Sequence, residues 1–186
     1  MGIMNRLPTP PSIEASPTPS RPMLEAVKKQ LGSAPNLFRT LGISPAALEG
    51  YLGLSGALGK GELDLRTRNR LAMVVAETNG CTYCLSAHTY LGLNLAKLSA
   101  EELTANRGAR SSDPKAEAAL VFARRVVEAR GHVSDSDVRG VKAAGYSDAA
   151  VLEIVLHVAL NTLTNYVNEV AKTEVDFPVV GRREAA

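Results

Sequence analysis

The sequence predicts a single all-α domain, and three observations carry that prediction. The chain is rich in Ala, Leu and Val, has no Trp and is 4% aromatic, a composition suited to closely packed helices. Apolar residues recur at mixed three and four spacings between Ser, Asp and Pro start signals and Gly or Asn stops. No segment shows the strict alternation of a half-buried strand. At 186 residues the chain fits one domain with one substantial core.

Each element follows in turn. Residues 1–22 concentrate proline among Ser and Thr, which predicts an N-terminal arm that does not order by itself. The helical domain is expected over 23–178 and a short tail over 179–186. Met23 to Leu31 reads as a helix, broken by Gly32 to Pro35 before the apolar stretch Asn36 to Leu41. Ser44-Pro45 opens a helix to Leu58, with an N-cap and a first-turn proline. Leu65 to Thr78 is the next, closed by Asn79-Gly80, where the chain must turn left-handed. A helix then starts near Cys81 and runs to about Ala96. Ser99-Ala-Glu-Glu102 caps a short one, Asp113-Pro114 starts another to about Arg130, and Ser134 caps one ending at Gly145. Ser147 caps the last, Asp148 to about Lys172, apolar almost all round in its first half.

The net charge of +2 gives no field that would steer nucleic acid or an anionic membrane, so neither partner is expected. No apolar run is read as reaching the roughly 20 residues of a membrane span, and no signal peptide is evident, so a soluble cytoplasmic protein is expected. The two cysteines lie three positions apart and close no long loop, so their value is chemical.

That chemistry resides in Glu77-Thr-Asn-Gly-Cys-Thr-Tyr-Cys-Leu-Ser-Ala-His88. At about 100° per residue, Cys81, Cys84 and His88 fall within roughly 60° of one another on a helix. Cys81, at the helix start, faces unpaired N–H groups that favour a thiolate, while His88 follows Cys84 by one turn and can take its proton. A thiolate attacking a hydroperoxide becomes a sulfenic acid, which a second thiol condenses to a disulfide and water. If the helices flanking Asn79-Gly80 fold back as a hairpin, Asn69 comes near His88 and Glu77 near Cys81 and Tyr83.

Other readings of the same residues rank lower. Zinc would have Cys81, Cys84 and His88 as three ligands and lacks a fourth nearby, so no metal is expected. A thioredoxin-type exchange protein would need a βαβ pattern around the motif. His157, on an apolar face, reads as a core or interface histidine. With Asn161, Asn165 and Asn168 it forms a polar stripe, read as bonding across a subunit contact in preference to lining a pocket.

Cys81-Thr-Tyr-Cys84-Leu-Ser-Ala-His88 after Asn79-Gly80 resembles the signature of the carboxymuconolactone decarboxylase and alkylhydroperoxidase D superfamily, peroxidase-related branch. Pro35-Asn-Leu-Phe, Leu63-Asp-Leu-Arg, Leu163-Thr-Asn-Tyr-Val-Asn and Thr173-Glu-Val-Asp-Phe-Pro178 extend the resemblance over about Leu31 to Pro178. It implies an alkylhydroperoxidase D-like helical bundle, assembled as a trimer or hexamer. It further implies a peroxidase with Cys84 attacking the peroxide, Cys81 resolving and His88 in the proton relay. No cofactor is implied; the electron donor would be a dithiol, such as a lipoyl protein or a thioredoxin-like one. The family's glutamate twelve residues before the first cysteine is Asn69 here, and its histidine before the second cysteine is Tyr83. An amide does not accept a proton at ordinary pH, so Glu77 is expected to replace the missing carboxylate, with Asn69 and Tyr83 in support. The alternatives are a decarboxylase-like enzyme, which does not depend on the dithiol, and a dithiol redox sensor without turnover.

Overall fold

The computed structural model describes residues 6–183, and among them every regular element is helical. A 3-10 turn at Thr18–Ser20 leads into α1 (Arg21–Leu31), α2 (Asn36–Leu41), α3 (Pro45–Leu58), α4 (Leu65–Asn79) and α5 (Thr82–Asn94). Then come α6 (Ala100–Arg107), α7 (Pro114–Glu128), α8 (Asp135–Ala143) and α9 (Asp148–Ala171). The predicted starts are made by side chains accepting first-turn N–H groups: Ser44 for α3, Ser99 for α6, Asp113 for α7 and Ser147 for α9. Ser134 and Asp137 form a reciprocal capping box at α8.

The bundle is organised around α4, whose residues from Asn69 to Ala76 are all buried, because α5, α6, α7 and α9 pack around it. One core cluster lies on its dithiol side, with Leu24, Leu48, Met73, Leu85 and Leu103; the other joins Leu71, Val74 and Val75 to Leu120, Phe122 and Ile154 of α7 and α9. Gly80 takes φ +73 at the end of α4, so the chain reverses within one residue and α5 returns along α4.

Residues 6–20 lie on the body of their own chain. Arg39 donates to Pro11 O at 2.6 Å, Ser20 Oγ donates to Gly42 O at 2.7 Å, Thr9 and Thr40 hydroxyls meet at 2.8 Å, and Ile13 is buried. Polar anchors thus supply the order that apolar content alone does not. The first five residues of the arm and the last three of the tail lie outside the described residues.

One expectation is corrected. The 24 residues of α9 are long and apolar enough to cross a membrane by length and composition, contrary to the sequence reading. Yet α9 packs against α2, α3, α4, α5, α7 and α8 and buries His157, Asn161, Asn165 and Asn168 in the protein body, which marks it as a core helix.

Candidate active site

Cys81 is the N-cap of α5: its Sγ accepts from Cys84 N at 3.3 Å and donates to Cys84 Sγ at 2.8 Å. Both are free thiols, and both are buried. Cys84 Sγ also accepts from Asn168 Nδ2 of α9 at 3.3 Å. Asn79 Nδ2 donates to Asn165 Oδ1 at 2.9 Å, which turns the NH₂ end of Asn165 away from Asn79. The Cys81 thiol, with Asn168, Asn165 and Thr164, holds Cys84 below the ordinary thiol range against the opposing effect of burial. Cys81 is pushed up, first because its proton is held by Cys84 and then by burial. The expectation that Cys81 is the thiol favoured to ionise is therefore corrected: the shift toward thiolate falls on Cys84, first because Cys81 donates to it and then because Asn168, Asn165 and Thr164 of α9 do.

His88 lies on the face of α5 that carries the dithiol, but among the described residues no hydrogen bond joins it to Cys84. Its Nδ1 instead meets Asn69 Oδ1 at 3.2 Å, while Asn69 Nδ2 donates to His88 O at 3.1 Å. Since the amide uses its NH₂ on the carbonyl, its oxygen faces the ring. Nδ1 then carries the hydrogen and Nε2 the lone pair. Burial pushes His88 down to about 4, so it is a neutral imidazole at pH 7. Gly92 makes this arrangement possible: a Cβ there would stand 2.6 Å from Asn69 Nδ2.

Glu77 does not join the site. Its Oε2 accepts from Arg107 Nε at 2.6 Å and its Oε1 from Arg183 N at 2.9 Å, so both oxygens tie α6 and the C-terminal strap to α4. Its carboxylate thus faces Arg107 and Arg183, not the cysteines that the hairpin led one to expect beside it. Tyr83 is likewise structural: its hydroxyl donates to Asp176 at 2.8 Å, accepts from Leu37 N at 3.0 Å, and its ring packs edge-on against Phe177. The zinc set considered from the sequence is not assembled, and no three His, Cys, Asp or Glu side chains converge among the described residues.

A cavity of about 490 Å³ opens between α3, α4, α5 and α9. His88, Asn69, Tyr51 and Thr164 line it, and Thr164 also flanks Cys84, so one wall residue separates the cavity from the dithiol. The polar stripe of α9 therefore serves the interior: Asn168 and Asn165 the Cys84 sulfur, Asn161 and His157 the cavity wall. Sequence reasoning missed Asn79, Thr164, Asn165 and Asn168 as site residues, although amides on a buried helix were the available signal.

The site is thus a pair of free thiols at the start of α5 of a helical bundle, with amides of α9 around Cys84 and a cavity alongside. Residues 45–129 match the carboxymuconolactone decarboxylase family, which supports a likeness to the carboxymuconolactone decarboxylase and alkylhydroperoxidase D-like superfamily. The chain's fold is similar to that of the alkylhydroperoxidase AhpD core, an uncharacterized peroxidase-related protein from Ralstonia eutropha JMP134, at 25% identity, covering 95% of this chain and 94% of that one with TM-score 0.81. A peroxidase-related protein from Silicibacter sp. TM1040 matches at 22% identity over 91% and 89%, TM-score 0.78. The debrominase Bmp8 matches at 22% identity over 94% of each chain, TM-score 0.79. No curated protein gives a significant match to the sequence.

Proposed function

We propose that this protein is a thiol-dependent peroxidase that reduces hydroperoxides through Cys84, with Cys81 as resolving thiol. The supporting observation is the asymmetry of the pair: Cys84 is lowered toward thiolate while Cys81, 2.8 Å away, keeps its proton. Cys84 thiolate attacks the terminal peroxide oxygen, the O–O bond breaks, and alkoxide leaves as Cys84 sulfenic acid forms. The alkoxide takes up the proton that Cys84 released on ionising, and His88, whose Nε2 lone pair can accept a proton and pass it on, is the relay. Cys81 thiol then displaces the hydroxyl, giving the disulfide and water. A dithiol donor, such as a lipoyl or thioredoxin-like protein, returns two electrons and two protons.

Assembly as a homo-oligomer, trimer or hexamer, goes with this reading. Along α9, Leu152, Leu156, Leu163, Tyr166 and Val170 stay exposed at spacings of four, seven, three and four, a continuous apolar stripe.

The test is hydroperoxide consumption with dihydrolipoamide as reductant. Catalytic turnover supports the peroxidase. One stoichiometric oxidation with a change of assembly would make it a sensor, and lactone consumption indifferent to cysteine replacement a decarboxylase-like enzyme. Bmp8 is named a debrominase and a cysteine-to-alanine form of it is described in complex with 2,3,4-tribromopyrrole, so bromopyrrole turnover without peroxide turnover would redirect the same thiol to carbon-bound bromine.

A further inference from the structure

The cavity has a second chemical end that the dithiol does not use. His157 of α9 is 5% exposed and lines the cavity, and its Nε2 has no hydrogen-bond partner among the described residues. Arg68 of α4 lines the same cavity, and its Nε is likewise buried and unpartnered. Buried donors of this kind are rare in folded proteins, because each forfeits its bonds to water. No carboxylate pairs with Arg68 or with the exposed Lys60 at the cavity rim among the described residues. Glu153, whose charge reaches His157, is turned to the loop after α3: its oxygens accept from Glu62 N at 2.9 Å and Leu63 N at 3.2 Å. Burial and the Arg68 charge keep His157 neutral, which leaves it a donor or acceptor without adding net charge. The same cavity is lined by Leu52, Leu91, Leu95 and Leu160, with Ser55, Asn161 and Thr164 among them.

We propose that Arg68 and His157 form a carboxylate-binding subsite, so that the cavity takes an organic hydroperoxide with an apolar body and an anionic head. Arg68 supplies the charge and the planar fork that matches a carboxylate, and His157 supplies one further hydrogen bond. The volume of about 490 Å³ suits a molecule of medium chain length. This specificity rests on the peroxidase reading for its reactive end, while the subsite itself does not.

Calorimetric titration of the full chain with octanoate and with octan-1-ol separates the two claims, because neither ligand reacts. The wild type is expected to bind octanoate about tenfold or more tightly than the alcohol, as one charge-assisted contact implies. Arg68→Gln should abolish that preference with alcohol binding retained, and His157→Leu should reduce it severalfold. These variants lie on different helices, so misfolding of one leaves the other informative. Equal affinities of the wild type for the two ligands, or a preference unchanged in both folded variants, would overturn the subsite. Octanoate selectivity in a protein that turns over no hydroperoxide would leave the subsite standing and remove only the peroxidase.

Discussion

The amide of Asn168 donates to the sulfur of Cys84 at 3.3 Å, joining residues 84 apart in the chain. This contact makes the last helix part of the dithiol site, and it distinguishes two thiols that are neighbours at the start of α5.

Asn168→Ala should therefore raise the Cys84 pKa, since it removes a hydrogen bond that favours the charged form. Iodoacetamide alkylation followed against pH reads this directly. An unchanged midpoint would remove Asn168 from the account.

Cys84→Ser should abolish hydroperoxide turnover. Cys81→Ser should allow one oxidation and then stop at a sulfenic acid that dimedone traps. Mild and equal effects of the two substitutions would argue against the division of roles.

Replacement of Asn69 by Leu should slow turnover about tenfold to a hundredfold, because the imidazole loses the partner that fixes its tautomer. Asn69→Asp should raise the His88 pKa by adding a carboxylate, moving the acid limb of the rate profile to higher pH. Turnover and pH profile unchanged in both variants would exclude His88 from the relay.

Glu77→Gln should lower the melting temperature with kcat of the folded enzyme retained, because it weakens a largely buried pair with Arg107, at a cost of about 1–3 kcal/mol. A loss of kcat without loss of stability would return Glu77 to the relay.

Acid should destabilise the fold through His157. Its folded pKa is pushed down to about 4 from 6.5 by burial, so the unfolded chain takes the proton first as pH falls. The contribution is complete above pH 6.5 and is lost on the way down to about 4, some ~3 kcal/mol at ~1.4 kcal/mol per unit. Urea unfolding at pH 7 and pH 4.5 should show a smaller acid loss in His157→Leu than in the wild type, and equal losses would contradict it.

The helical class, the start signals at Ser44, Ser99, Asp113, Ser134 and Ser147, the reversal at Gly80 and the placing of Cys81, Cys84 and His88 on one helix all follow from the chain itself. They depend on local backbone geometry and on spacings of a few residues, which a sequence displays. Which thiol ionises, what orients His88 and where Glu77 points were decided only by tertiary packing. Asn168 and Asn165 reach Cys84 because α9 crosses α5, and Glu77 turns outward because Arg107 and Arg183 meet it there. Electrostatics at a buried sulfur is a sum over neighbours distant in sequence, and no local pattern encodes that sum.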